Sequence, residues 1–293
     1  MGNIFILISS ICFALSNAYW KKVIDKVPFY IVIFYRGVIT SLLFGFFLYI
    51  IAKYNLFPIL LQHDSILTGY NFGPTIILCC FSGLGLYFFV KSMENGKVSL
   101  VVPLSSINIF SILTALFILH EQWKWIYGLE FILVIAGSLM LFYSAKNNDA
   151  SSNNKGPIIM SLLASFFWGI SYALFKIPIK QIGILPFSFV LESSITLFFL
   201  VIIKSRKQLL AINQLRSKQI KHYFILALLV VLGTLFVNLG LKDTTIFSFT
   251  ILSNTGQIAS ILLGYFIYNE RLKRNELIGV SLLFISITIS ILY

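Results

Sequence analysis

The sequence predicts an all-α integral membrane protein of ten transmembrane helices, arranged as two inverted five-helix repeats. Three observations lead there. Of the 293 residues, 58% are hydrophobic and 11% charged, with a mean hydropathy of +0.93, whereas soluble domains carry about 25% charged residues. Apolar runs near the ~20 residues that cross ~30 Å of hydrocarbon recur along the whole chain. The first half of the sequence also returns, altered, in the second.

The spans are read in order between charged or Pro/Gly-marked breaks. The first covers 2–20; it lacks a basic leader and a small-residue cleavage site, so it is a retained helix. The second (29–52) opens after Pro28 and closes at Lys53. The third (74–93) starts at Pro74, the fourth (98–119) contains Pro103, and the fifth covers 123–143. The segment KNNDASSNNKGP (146–157) is rich in Asn and Ser and divides the chain. Beyond it come spans at 157–177, 184–203, 222–241, 246–268 and 276–292. Backbone groups in lipid must bond within their own segment, which leaves the helix as the form of each span. The organisation is a first repeat over 1–145, a polar linker over 146–156 and a second repeat over 157–293.

The halves match locally. FILHEQWKWIYGLEFILVIAG (117–137) resembles FIYNERLKRNELIGVSLLFIS (266–286), with Glu121 on Glu270. VIFYRGVIT (32–40) resembles SFVLESSIT (188–196), which sets Arg36 opposite Glu192; ALSNAYWKK (14–22) loosely matches WGISYALFK (168–176). Five spans is an odd number, so tandem units have opposite orientations in the membrane. Transporters use this plan, with substrate held near the midplane between the halves.

On these residues the chain resembles EamA-like members of the drug/metabolite transporter superfamily. Glu270 and Arg271 followed by Gly279 are similar to the family's Glu-Arg segment, Pro103 before Glu121 to its Pro–Glu spacing, and Arg36 to its arginine early in the second span. There are departures: His120 and Gln122 flank the first Glu, Glu130 stands where a Gly is expected, and Leu252 replaces the second Pro. The resemblance implies a ten-span solute transporter and leaves the substrate open.

The net charge of +12 belongs in short loops, where it sets orientation and meets anionic headgroups; nucleic acid is not an expected partner. KSRKQLLAINQLRSKQIKH (204–222) reads as one such headgroup-facing loop. Cys12, Cys79 and Cys80 sit in apolar runs as packing residues. No metal-ligand spacing, cofactor motif or GxxxxGK[ST] loop occurs, and His63, His120 and His222 are scattered. An integral-membrane enzyme acting on a lipid-linked substrate, or a membrane scaffold, stands as the alternative to a transporter.

We call the side holding both termini side A and the opposite one side B. On side A the basic residues are Lys53, Lys124, Lys176, Lys180 and Lys242, a minority of the 22 lysines and arginines. The positive-inside rule therefore makes side B cytoplasmic. The resemblance implies the reverse. A bacterial inner membrane is the expected location.

Charged residues inside spans mark a bundle interior or a wet cavity. Glu192 lies about eight residues into its span from side A, ~12 Å deep, and Arg36 about seven residues from side B, ~10 Å deep. In one reading Arg36 receives a substrate anion and Glu192 an ammonium or a coupling proton, which favours an amino acid, another zwitterion or a cation. In the other the two pair and lock the repeats together. Asn17, Trp20, Trp168, Tyr172, Lys176 and Tyr87 are candidate lining residues, the aromatics by stacking or cation–π contact. Mid-span Asn108, Asn254 and Gln257 are candidate hydrogen-bond sites, and Pro103 a candidate hinge. Gly256, Ser260 and Gly264 form a small-residue stripe for close helix contact within a monomer. Glu121 and Glu270 suit the positive ends of the fifth and tenth helices.

Overall fold

The computed structural model describes residues 1–24, 27–54, 56–57, 60–61, 70–96, 98–106, 109–148, 156–208, 217–269 and 274–292. Among them occur twelve helical segments and no strand. In the first half these are α1 (Gly2–Ile24), α2 (Phe29–Tyr54), α3 (Phe72–Asn95), α4 (Val98–Ser105), α5 (Ile109–Phe117) and α6 (Trp125–Asn148). In the second they are α7 (Gly156–Ile182), α8 (Ile184–Ser205), α9 (Ser217–Asp243), α10 (Ile246–Leu252), α11 (Asn254–Tyr268) and α12 (Arg274–Leu292). The pairs α4–α5 and α10–α11 each make one span in two pieces, which brings the count to ten. Seven spans are long and apolar enough by themselves to cross a membrane: α1, α2, α3, α7, α8, α9 and α10–α11.

Polarity is arranged for a lipid solvent. Leu42, Phe46, Ile77, Ile132, Leu197, Val201, Phe266 and Phe284 face outward, while Arg36, Glu130, Glu192, Asn238, Asn254, Gln257 and many serines and threonines are buried. Many of the buried hydroxyls bond a carbonyl three or four residues back on their own helix, as Ser10 does to Ile6, Ser171 to Phe167 and Ser188 to Ile184. That local bond satisfies the hydroxyl without help from a neighbour.

The fourth and ninth spans differ from the continuous helices expected. Pro103 has no N–H and so drops one helical bond, and α4 ends two residues later at Ser105, where the hydroxyls of Ser105 and Ser106 join the Ser106 N–H in donating to Val102 O. In the ninth span Ser253 Oγ and Asn254 Nδ2 both donate to Thr250 O, and the helix is interrupted at Ser253. The two breaks meet. Gln257 Nε2 on α11 donates to Ser106 O at 2.9 Å, so one half satisfies a carbonyl at the end of the other half's α4. Other helices run past the expected ends, α7 to Ile182 and α6 to Asn148, into the segment read as linker.

Packing follows an inverted two-fold relation. α1 lies along α9 and α3 along α7, contacts that exchange when the halves are exchanged; α2 lies on α8 and α6 on α12, each a helix against its own counterpart. Close approach at these crossings depends on glycine. A Cβ on Gly169 of α7 would stand 2.8 Å from Phe110 Cβ and 3.1 Å from Ser111 N of α5, and one on Gly137 of α6 would stand 2.9 Å from Gly279 O of α12. Ser111 Oγ uses the first approach to donate to Gly169 O at 2.9 Å.

A second tie joins the halves at side A. Both carboxylate oxygens of Glu121 accept from Ile246 N, at 3.1 and 2.8 Å, capping the exposed first turn of α10. Lys176 Nζ lies 2.8 Å from Glu121 Oε1 and also donates to Thr244 O at 2.8 Å. Glu121 therefore serves the N-terminus of the ninth span rather than that of its own helix, because α10 brings unpaired N–H groups within reach while α6 begins four residues later. Glu270 lies outside the described residues.

Two substitutions test these ties by thermal unfolding of the detergent-solubilised protein. Gly169→Ala places a methyl against the α5 backbone and is expected to cost about 1–3 kcal/mol. Glu121→Ala removes a cap and an ion-pair partner and is expected to cost about 2 kcal/mol. An unchanged midpoint in either variant would show that the contact carries no stability.

Candidate functional site

At the centre of the bundle α1, α2, α3, α4, α7, α8, α9, α10 and α11 surround a partly enclosed cavity of about 150 Å³. Both halves contribute to its wall, and α5, α6 and α12 do not. α1 supplies Ser9, Ser10, Asn17 and Trp20, because its i, i+3/i+4 spacing keeps these on one face. Ser82 comes from α3, Val102 and Ser105 from α4, Trp168 and Tyr172 from α7, and Thr234 and Asn238 from α9. Phe249 of α10 and Gly256 of α11 complete it beside the interruption at Ser253.

Arg36 and Glu192 meet in this wall. α2 and α8 run antiparallel, and Gly37 lets them close: a Cβ there would stand 2.4 Å from Thr196 Oγ1. The approach brings Arg36 Nη1 to 3.1 Å from Glu192 Oε2, with both side chains 3% exposed. Thr40 Oγ1 lies 3.0 Å from the same carboxylate oxygen. Arg36 Nε and Nη2 are buried and have no hydrogen-bond partner among the described residues. One arm of the guanidinium is thus committed to Glu192, and two donors remain unused. The ~8 Å of height that sequence spacing puts between the two backbones is bridged by the length of the side chains.

The aromatic groups are set by their own contacts. Trp168 Nε1 donates to Ser82 O at 3.2 Å, and its ring lies over Gly85, where a Cβ would come within 2.5 Å of the indole. Tyr172 lies 6.5 Å from Trp168 and 5.9 Å from Phe249 between ring centroids. On α9, Asn238 Nδ2 donates to Ser188 Oγ at 2.9 Å, while Oδ1 has no partner. Apolar faces, a paired cation and anion, and unspent amide and guanidinium groups together suit a small ligand with both an apolar body and polar ends.

Of the candidate residues, Arg36, Glu192, Asn17, Trp20, Trp168 and Tyr172 line the cavity. Lys176 does not; it is held at side A by Glu121 and the Thr244 carbonyl, one turn beyond Tyr172. Tyr87 packs among Phe29, Phe88 and Phe199 and accepts from Arg206 Nη2 at 3.3 Å, near side B. Lys91 stands 5.6 Å above its ring. Asn254 and Gln257 are fully buried beside the helix breaks, Gln257 Nε2 also reaching Asn254 Oδ1 at 2.7 Å. They brace the breaks and do not line the cavity. Pro103 is buried inside α4. Asn108 lies outside the described residues. The polar lining residues that sequence reasoning passed over are Asn238, Thr234, Ser82, Ser9 and Ser10. Asn238 carried a legible signal, a lone amide in the apolar run LLVVLGTLFVNLG; the serines carried none, since a span serine usually bonds its own helix.

The family model of the EamA-like transporter family matches residues 1–143 and again 155–292. A solved structure described as "Crystal structure of protein" is similar with a TM-score of 0.67 at 10% identity, over 99% of this chain and 96% of the other. At that identity the likeness shows the fold alone. No curated protein matches the sequence. Each half of the chain carries a complete family match, and the chain belongs to the EamA-like transporter family, a multi-pass membrane transporter of the drug/metabolite type.

Proposed function

We propose that this protein is a secondary transporter for a small zwitterionic or cationic metabolite, an amino acid or a close relative, working by alternating access of the two halves around the central cavity. The observation that carries the reading is the buried Arg36–Glu192 pair in the cavity wall, with two guanidinium donors unused. A substrate carboxylate is suited to Arg36 Nε and Nη2. A substrate ammonium is suited to Glu192, and the rings of Trp20, Trp168 and Tyr172 to the apolar or cationic part of the ligand. The cavity of about 150 Å³ is of a size that suits a small metabolite such as an amino acid. Because the pair neutralises itself, a zwitterion adds no net charge to the membrane interior, whereas a lone anion or cation would, so of the two proposed classes the zwitterion fits better.

Alternating access follows from the inverted halves, which present the same wall to opposite sides of the membrane when they rock. A proton is the proposed coupling ion: protonation of Glu192 would release Arg36 and change its grip on substrate. A monomer in a bacterial inner membrane is the proposed setting. The direct 3.1 Å contact also favours a second reading, in which the pair locks α2 to α8 and the substrate is held by the other lining groups.

Glu192→Gln and Arg36→Gln are each expected to reduce flux into liposomes at least tenfold while the protein remains inserted. Their stabilities should differ. Glu192→Gln leaves a guanidinium that cannot shed its charge, whereas Arg36→Gln leaves a carboxyl that can take a proton. The thermal midpoint should therefore fall further for Glu192→Gln, towards the ~3–5 kcal/mol cost of breaking a buried pair. Normal flux in both variants would remove the site assignment. The double exchange Arg36→Glu with Glu192→Arg separates the readings: recovery of stability and flux together identifies a lock, and recovered stability without recovered flux identifies a pair that grips the substrate in one orientation.

A further inference from the structure

Glu130 lies in α6, five residues after Trp125, ~8 Å along the helix from its side A end. It is 1% exposed and faces α12. Its counterpart in the second repeat is Gly279. The α6–α12 crossing is therefore symmetric in backbone and asymmetric in chemistry. At one end Gly137 meets the carbonyl of Gly279; at the other Ser286 Oγ donates to the carbonyl of Glu130 at 3.2 Å. Substituting a carboxyl for the glycine puts an ionisable group into a contact built for two bare backbones.

Among the described residues that carboxyl has no counter-charge. The Ser290 hydroxyl is its hydrogen-bond partner, and Oε2 has none among the described residues. The elements packed against α6 are α12, α4 and α10. The sequences of α4 and α10, VSLVVPLS and IFSFTIL, contain no charged residue. On α12 the charged residues Arg274 and Glu276 stand at the opposite end, Arg274 being ~18 Å of helix from Ser286. On α6 itself Tyr127 stacks on Phe247 and Lys124 lies over the Tyr127 ring; Lys146 is at the far terminus. An ionised carboxylate at this depth would lack both water and a cation, a state that burial penalises heavily. A neutral acid can direct its own proton at the Ser290 hydroxyl oxygen and leave only an uncharged carbonyl oxygen unpaired.

We propose that Glu130 is a proton-binding site in the α6–α12 contact, separate from the central cavity, occupied at neutral pH and exchanging with side A. The event is addition of one proton to one carboxylate, with no other bond made or broken. Releasing the proton requires α6 and α12 to part far enough for water to reach the carboxylate. Proton release and the position of this helix pair are therefore linked, whatever the central cavity carries.

Infrared spectra of the full-length protein in liposomes test this directly. At neutral pH the wild type should show a protonated-carboxyl carbonyl band that Glu192→Gln retains and Glu130→Gln loses. Glu130→Gly, which installs the residue of the counterpart position, should lose the same band and serves if the glutamine variant does not fold. A band common to wild type and both Glu130 variants, or no such band in the wild type, would overturn the proposal. So would a sodium- or potassium-dependent rise in thermal midpoint that Glu130→Gln abolishes, since that would mark an ionised carboxylate holding a metal cation.

Discussion

Inside hydrocarbon Arg36 and Glu192 have no solvent but each other and whatever enters the cavity, and this constraint organises the bundle around them. A guanidinium cannot be neutralised by losing its proton, so α2 must carry it to a carboxylate. The carboxylate stands on α8, the counterpart of α2 in the other half, and Gly37 and Thr40 shape the crossing so that the pair closes at 3.1 Å. The pair spans the two halves and faces the cavity. The same two side chains thus join the halves and face the cavity, and a movement that separates the halves also alters the pair.

The helix breaks obey the same logic. A broken span in lipid leaves backbone groups without partners. Here the opposite half supplies a partner, Gln257 reaching the Ser106 carbonyl, just as Glu121 reaches the Ile246 amide where the ninth span begins at side A. The breaks sit beside the cavity, where Ser105, Ser106, Ser253 and Gly256 contribute to the wall. Irregular backbone is thereby confined to places where protein surrounds it. The halves are joined by polar contacts at the breaks and by glycine-mediated packing at α6–α12, and the polar contacts lie nearest the cavity.

The repeats diverge where chemistry differs. Arg36 faces Glu192 at matched positions, so the two copies share a fold and oppose one another in charge. Glu130 and Gly279 occupy matched positions in α6 and α12: Gly137 stands against the Gly279 carbonyl, whereas Ser286 donates to the Glu130 carbonyl and the Glu130 side chain adds a buried carboxyl. An inverted pair of identical units would have the same affinity towards both sides of the membrane. Such substitutions are the means by which one side comes to differ from the other.

The sequence by itself determined the solvent, the number of spans, the inversion of the halves and the fact that Arg36 and Glu192 point inward, because hydropathy, an odd span count and the expense of a bare charge in lipid each act without knowledge of neighbours. It also carried Asn17, Trp20, Trp168 and Tyr172 to the right face of their helices, since a helix fixes which residues share a side. Tertiary structure decided what spacing along one helix cannot express. It set Lys176 on Glu121 instead of the cavity, sent Glu121 to cap a helix 125 residues away, turned Asn254 and Gln257 towards the helix breaks, and brought Asn238 and the α1 serines into the wall. Those outcomes depend on which helix stands opposite and how far it is displaced, and on this the local pattern of apolar residues, nearly uniform around each helix in lipid, is silent.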